Sequence, residues 1–164
     1  QTCALPILLA NVERKSLPEC PQLKILRLDG SIFFGAVNHI SEELHRVMRD
    51  FPEQCHILIV GSGINFVDAG GCHMLFQEAR RLRSEGREMF FCSLKTEVME
   101  VLMRGGCLHR LGEGNLYMNE GEAIAHIVHR LDPERCGCCP LRVFRECARR
   151  PGGEDFDPAL LEPR

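Results

Sequence analysis

Four cysteines gather near the C-terminal end of the sequence, where they could bind a metal ion. They are Cys136, Cys138, Cys139 and Cys147. Four thiolates suit the tetrahedral coordination of zinc. Three of these sulfurs, however, fall within one turn and the fourth follows eight residues later, unlike the paired C-x-x-C spacing of zinc ribbons. The four residues are weak metal candidates, and the alternative is that they are buried or unreactive thiols.

A glycine-rich segment after the apolar run Ile57–Val60 forms the second candidate site. Its small residues expose backbone to a protein partner, and a helix start can attract an anion or a nucleotide. Asp68 stands where it can accept hydrogen bonds from the first amides of a helix, so capping is its simpler role. The candidate docking or anion-binding residues are Gly61, Ser62, Gly63, Asn65, Asp68, Ala69, Gly70 and Gly71.

Other chemistry finds little support in the sequence. The dinucleotide fingerprint is incomplete because Phe66 stands where its third glycine would be, and Gly61 and Gly63 more simply let the chain turn out of a strand. There is no P-loop motif, and no serine or cysteine lies in a recognised nucleophile signature. His126 and His129 share a predicted helix whose buried side carries Ile127 and Val128, which favours a solvated edge over a metal site.

The elements that must position these residues alternate between strand and helix. A predicted hairpin joins Leu23–Leu28 to Ser31–Phe34 through the turn dipeptide Asp29-Gly30. Apolar residues then recur at helical spacing after Val37, after Cys72, after Thr96 and after Asn119. Buried strands are predicted at Ile57–Val60, Met89–Leu94 and Asn115–Met118. The pattern predicts an α/β fold with a mixed sheet of about four or five strands backed by about four helices.

The composition fits a globular chain. It has 164 residues, 45% hydrophobic and 26% charged, with a net charge of −3. This balance argues against nucleic-acid binding, and no apolar run reaches the roughly 20 residues that span a bilayer. Five cysteines stand singly among apolar residues, which favours a reducing compartment and a role as small hydrophobes. They are Cys20, Cys55, Cys72, Cys92 and Cys107.

The ends of the chain differ from its middle. Gln1 to Ile7 back-translate readily into a common sequencing adapter, so we expect these residues not to belong to the protein. We predict a linker at 8–21, the folded domain at 22–133, and a Cys- and Arg-rich tail with a short helix at 134–150. The acidic stretch 151–164, rich in proline and glycine, is predicted to be disordered.

Three separated segments carry a family resemblance: Leu26 to Ala36, Ile64 to Gly71 and Cys136 to Cys147. In this order they resemble the C-terminal STAS domain of bacterial SulP (sulfate permease) anion transporters. The resemblance covers roughly Leu17 to Arg149 and implies a sheet backed by about four helices. It also implies that residues 8–21 lead from a missing membrane domain, at the cytoplasmic face of the inner or plasma membrane.

The resemblance implies a regulatory, non-enzymatic role without a cofactor. The implied partners are the transporter's own membrane domain, cytosolic regulatory proteins, and a second copy of the full-length transporter in a homodimer. Free-standing relatives are anti-sigma-factor antagonists that are phosphorylated on a serine before the second helix, and Gly70 stands at that position here. The alternative function is therefore a stand-alone interaction module of the antagonist type that lacks the phosphoacceptor.

Overall fold

The computed structural model describes residues 8–11 and 18–149. The adapter prediction for Gln1 to Ile7, part of the predicted linker and the disorder predicted at 151–164 lie outside these residues. The strands are β1 (Leu8–Asn11), β2 (Leu23–Ile32), β3 (His56–Val60), β4 (Ile64–Val67), β5 (Glu88–Cys92) and β6 (Leu116–Tyr117). The helices are α1 (Val37–Asp50), α2 (Ala69–Ser84), α3 (Thr96–Arg104), α4 (Cys107–Leu111), α5 (Glu120–Ile127) and α6 (Pro133–Gly137).

All six strands form one mixed sheet, which confirms the predicted α/β class. The order is β1-β2-β3-β5-β6, and β4 pairs with β2 outside this path. Only β1 runs antiparallel to its neighbour among the described pairs. Parallel neighbours need long crossovers, and the helices that follow β2, β4 and β5 supply them.

The predicted hairpin at Asp29-Gly30 is wrong, because β2 continues through this dipeptide as one strand. Gly30 has a φ of 121°, and the register of β2 against β4 shifts between Gly30 and Ser31. The glycine therefore accommodates an irregularity in an extended strand instead of reversing the chain. The first half of β2 pairs with β3 and its last residues pair with β4.

Two further strands lie where the sequence predicted irregular structure. Leu8–Asn11, inside the predicted linker, pairs with β2 from Asp29 back to Leu26. Ile64–Val67, inside the predicted glycine-rich loop, forms β4. A four-residue strand gives little periodic signal by itself, and both strands depend on the uncovered edges that β2 offers.

Hydrophobic cores fill both faces of the sheet. Helices α1 to α4 cover one face, where Leu26, Ile59 and Phe91 pack against Leu44 and Leu75. On the other face, α5 and the turn after it pack on strand residues. That second core contains Leu23, Leu58, Phe90, Ile127, Val128 and Leu131.

Several predicted helix ends are confirmed. Asn119 caps α5 by accepting a hydrogen bond of 2.9 Å from the amide of Glu122, and Glu122 accepts one of 2.9 Å from the amide of Met118. Gly86 follows α2 in the left-handed conformation, with a φ of 74°. Thr96, by contrast, is the first residue of α3 and not its cap, since Lys95 holds the capping position, where its side chain makes no capping hydrogen bond.

Candidate functional site

The predicted glycine-rich segment is a turn, a strand and a helix start. Gly61 leaves β3 by donating its amide to the carbonyl of Cys92, at 2.9 Å. The amide of Ile64 then donates to the carbonyl of Gly61, also at 2.9 Å, and β4 begins. Because a strand and not a helix follows Gly63, the turn interpretation is confirmed and the geometry differs from that of a dinucleotide site.

Asp68 caps α2 and also holds the segment before α1. Its Oδ1 accepts from the amide of Gly71 at 2.7 Å, and its Oδ2 accepts from the amide of Phe34 at 3.0 Å. These backbone donors, Gly71 above all, hold the pKa of Asp68 below its ordinary value. The capping role is confirmed, and the same carboxylate connects two loops at one surface.

The capping hydrogen bonds of Asp68 make the stability of the protein depend on pH. A carboxyl whose pKa falls on folding stabilises the protein above its unfolded pKa of about 4, and this contribution is lost as the pH falls through the folded pKa. We expect Asp68→Ala to lower the free energy of unfolding by about 1 kcal/mol at pH 7. The difference from wild type should become progressively smaller as the pH falls. Urea unfolding between pH 3 and 7 measures this difference.

Asp68→Asn is the matched control, because an amide oxygen can still cap the helix without charge. At pH 7, Asp68→Asn should lower the free energy of unfolding less than Asp68→Ala does. Glu19 and Glu43 also have lowered pKa values, so they too make the free energy of unfolding of the wild type depend on pH. Only the difference between the variants and the wild type therefore reports on Asp68. If the free energy of unfolding of Asp68→Ala depended on pH as steeply as that of the wild type, the capping role of the Asp68 carboxylate would be contradicted.

Two exposed phenylalanines flank this helix start. Phe34 is 82% exposed and Phe66 is 51% exposed. Phe34 is tied to Asp68 by its amide, and its Cα lies 3.4 Å from where a Cβ on Gly70 would be. We call Phe34, Phe66, Asp68, Ala69 and Gly70 the α2 entry surface. The sequence prediction missed both phenylalanines, since the pattern assigns Phe34 to the short hairpin strand Ser31–Phe34 and Phe66 to a loop.

The remaining candidates in the segment lie beside this surface. Asn65 is exposed and accepts a bond of 2.6 Å from Nζ of Lys95. Ser62 lies in the turn before β4. Gly63 packs against Asp29, whose Cα would lie 2.9 Å from a Cβ at that position. Among these residues, glycine is required for close packing at Gly63 and Gly71.

A groove of about 440 Å³ adjoins the α2 entry surface and runs between α2, α3 and α4. Its lining combines apolar and cationic side chains, including Phe76, Val101, Arg104 and Arg110. Cys72 and Cys107 also line it and form a disulfide, with their Cα atoms 6.2 Å apart. The prediction that these two cysteines stand singly is wrong, because contact between α2 and α4 brings together residues 35 positions apart.

Three of the four C-terminal cysteines line one small cavity, and the fourth lies outside it. A small cavity is lined by Cys136, Cys139 and Cys147 together with Cys20, while Cys138 is exposed. Nε2 of Gln22 donates to Sγ of Cys136 at 3.2 Å, and burial raises the pKa of the Cys20 thiol. Within residues 8–11 and 18–149, no group of three or more histidine, cysteine or acidic side chains is arranged to hold a metal ion.

The histidine interpretation is confirmed for α5 and the turn after it. His126 and His129 are both exposed, and the ring of His126 lies 5.4 Å from that of Tyr117. Buried Ile127 and Val128 occupy the opposite side. The pair therefore lies on the solvated edge that the sequence predicted.

The family model for the STAS domain matches residues 13–123. The chain belongs to the STAS domain family. The match covers most of the sheet and helices α1 to α4, including the glycine-rich segment. The resemblance read from the sequence is therefore confirmed.

Curated relatives of this STAS chain are transporters. Probable sulfate transporter 3.5 from Arabidopsis thaliana is 27% identical over 101 residues, which cover 61% of this chain and 16% of that protein. Solute carrier family 26 member 10 from Mus musculus is 28% identical over 138 residues, covering 80% of this chain and 20% of that protein. The STAS chain thus spans about a fifth or less of the length of these relatives.

Solved structures share the STAS fold. A sulfate transporter family protein from Wolinella succinogenes has a TM-score of 0.57 at 20% identity, covering 72% of this chain and 93% of that one. The anti-sigma factor antagonist SpoIIAA in its unphosphorylated form has a TM-score of 0.56 at 18% identity, covering 77% of this chain and 100% of that one. In the described part of this STAS chain, no helix has the length and apolar character needed to cross a bilayer.

Proposed function

We propose that this chain is the regulatory, non-catalytic STAS domain of a SulP-like anion transporter of the sulfate type. One observation carries the proposal: the curated relatives quoted above are a sulfate transporter and a solute carrier, and the chain matches only about a fifth or less of their length. The remainder of such a protein is the membrane domain, which is the proposed first partner. The domain then lies at the cytoplasmic face of the membrane.

The proposed contact is the α2 entry surface with the neighbouring glycine-rich turn. Phe34 and Phe66 supply apolar area that the described chain leaves exposed. Ala69 and Gly70 expose the backbone beside them, so a partner can approach closely. A membrane domain, a cytosolic regulatory protein or a second copy of the transporter can bind to such a surface, and binding there requires no catalytic residues.

A non-catalytic role is supported by the geometry of a serine, histidine and carboxylate cluster at the α1–α2 interface. Oγ of Ser41 donates to Oε1 of Glu78 at 2.5 Å, and Nε2 of His45 lies 3.1 Å from Oε2 of Glu78. A nucleophilic serine would donate to the histidine instead. Glu78 also accepts from Nε of Arg81 at 3.0 Å, so the cluster is suited to joining helices.

Gly70 bears on regulation by phosphorylation. It is the second residue of α2 and has no hydroxyl to accept phosphate. The resemblance aligns this position with the phosphoacceptor of antagonist-type relatives. We therefore propose regulation by contact and not by phosphate transfer to this helix start.

Reading the gene upstream of residue 1 tests the proposal directly. We expect codons in the same frame that encode several hydrophobic segments of about 20 residues. An initiator methionine with a ribosome-binding site just upstream of Leu17 would contradict it and favour a stand-alone module.

The contact surface has its own test in the full-length transporter. Phe34→Ser and Phe66→Ser should together lower anion uptake or the amount of transporter that reaches the membrane. Met118→Ser is the matched control, because Met118 is 85% exposed and lies outside the α2 entry surface. Equal effects of the double variant and the control would contradict the proposed surface.

A further inference from the structure

The Cys72–Cys107 pair lies at a position suited to reversible chemistry. Cys72 belongs to the first turns of α2, and Cys107 begins α4 after the Gly105-Gly106 turn. Their Cα separation of 6.2 Å falls within the range that a disulfide requires. The pair is 5% and 6% exposed, and both residues line the open groove between the helices.

Gly105 lines the groove beside both sulfurs. A Cβ at this position would lie 3.6 Å from Sγ of Cys107 and 4.0 Å from Sγ of Cys72. These are ordinary contact distances, so a methyl group would rest on both sulfurs. The absence of a side chain leaves that space open to a small reagent.

The charges around the pair are mainly positive. Arg104 and Arg110 line the same groove, and the Arg110 guanidinium lies 5.5 Å from the ring of Phe76. Arg104 is also paired with Glu100 at 3.3 Å, and Asp68 is engaged by backbone amides. Nearby cations stabilise a thiolate, which is the reactive form of cysteine, and they attract anionic reagents.

We propose that Cys72 and Cys107 form a reversible thiol–disulfide site that exchanges with anionic small-molecule disulfides of the glutathione type. Two features carry this inference: the paired cysteines beneath an uncovered Gly105, and the cationic rim of their groove. Neither depends on the transporter role. The site holds whether the chain is part of a transporter or acts alone.

The exchange proceeds in two balanced steps. The thiolate of one cysteine attacks a sulfur of the reagent, breaks its S–S bond and releases one thiolate, which leaves a mixed disulfide on the protein. The second cysteine then loses its proton to solvent and attacks the protein sulfur. A second reagent thiolate leaves, and both leaving groups take up protons. The cysteine pair is oxidised by two electrons, the reagent is reduced by two, and excess reagent thiol reverses both steps.

Oxidation has a mechanical effect on the fold. The bridge joins residues 35 positions apart and ties the start of α2 to α4. In the dithiol state, these helices are held by packing, by the contact of Arg110 with the Phe76 ring and by the hydrogen bond from Arg83 to the Leu111 carbonyl. The redox state therefore sets how firmly the wall of the groove is attached beside the α2 entry surface.

Peptide mapping of the full 164-residue chain tests the pairing. The protein is reduced, equilibrated with mixtures of glutathione and glutathione disulfide, trapped with an alkylating reagent and digested for mass spectrometry. We expect a Cys72–Cys107 peptide that forms and disappears reversibly with the glutathione ratio. In Cys107→Ser, Cys72 should carry a mixed disulfide instead.

The chain supplies two internal controls for this mapping. Cys92 is buried with its pKa raised to about 11, so it should stay unmodified while the protein is folded. Cys138 is exposed and should form a mixed disulfide. Predominant bridges between other cysteines, or a pair that reacts only after unfolding, would overturn the proposal.

The charge requirement is tested by comparing glutathione disulfide with neutral 2-hydroxyethyl disulfide. Arg110→Gln should slow oxidation by glutathione disulfide about two- to fivefold more than it slows oxidation by the neutral reagent, because only the anionic reagent is attracted by the guanidinium. Gly105→Ala should slow both reagents by covering the sulfurs. Equal slowing of both reagents by Arg110→Gln would show that the arginine does not attract the anionic reagent and would overturn the anionic specificity.

Discussion

Lys24→Ala should lower the free energy of unfolding by about 3–5 kcal/mol, the largest loss we expect from one substitution. Lys24 is completely buried in β2. Its Nζ donates to Oε2 of Glu19 at 2.8 Å and lies 3.7 Å from the centre of the Phe51 ring. Alanine removes the ion pair and leaves a cavity. Urea unfolding at pH 7, followed by circular dichroism, measures the loss.

Arg27→Ala is the matched control, because Arg27 lies in the same strand and also pairs with a carboxylate. Nε of Arg27 is 2.8 Å from Oδ1 of Asp29, but the two side chains are 56% and 35% exposed. Exposed pairs of this kind contribute about 0–1 kcal/mol. Equal losses for the two variants would show that burial does not set the contribution of Lys24.

Lowering the pH should reduce the contribution of Lys24 to the free energy of unfolding. Burial by itself raises the pKa of Glu19, but hydrogen bonds from Lys24 and Gln54 outweigh it, and the pKa lies below its ordinary value. A lowered carboxyl pKa stabilises the fold above the unfolded pKa and ceases to do so as the pH falls through the folded value. The difference between wild type and Lys24→Ala should therefore narrow in acid.

Gly71→Ala should destabilise the domain by about 2–3 kcal/mol, although alanine is the better helix former by about 1 kcal/mol. A Cβ on Gly71 would lie 2.7 Å from Cγ2 of Ile32 and 2.9 Å from its backbone carbon. Ile32 ends the central strand β2, so its backbone cannot withdraw without disturbing the sheet. Thermal and urea unfolding of the variant measure the effect.

Gly70→Ala is the control for Gly71, since it changes the neighbouring residue of the same helix turn. Its Cβ would meet Oδ1 of Asp68 at 3.3 Å and Phe34 at 3.4 Å. These contacts are tight but lie at the surface, so we expect a change within about 1 kcal/mol. A Gly71→Ala chain as stable as Gly70→Ala would contradict the close approach of α2 to β2.

Local patterns predicted the parts of the candidate site that depend on neighbouring residues. A helix cap requires a polar side chain and an amide about three positions later, and this spacing identified both Asp68 and Asn119. The alternation of apolar runs with helical periods likewise identified the α/β class. The agreement of three motifs in order identified the family.

Features that depend on distant residues could not be predicted in this way. Lys24 reads as one polar residue in an apolar strand, and its burial depends on Glu19 and on Phe51 at the end of α1. The Cys72–Cys107 pair depends on the packing of α2 against α4. Gly30 resembles a turn residue by composition, and only its pairing with Ile64 of β4 shows that the strand continues.

The antiparallel strand β1 has a consequence for how neighbouring molecules meet in solution. It occupies the edge of β2 from Leu26 to Asp29, whereas the opposite edge of the sheet ends in the two-residue strand β6. An uncovered edge strand is a template for pairing between molecules, and short edge strands limit this pairing. A version of the chain that began after Asn11 would leave backbone donors and acceptors of β2 unpaired, and self-association through that edge would compete with correct folding.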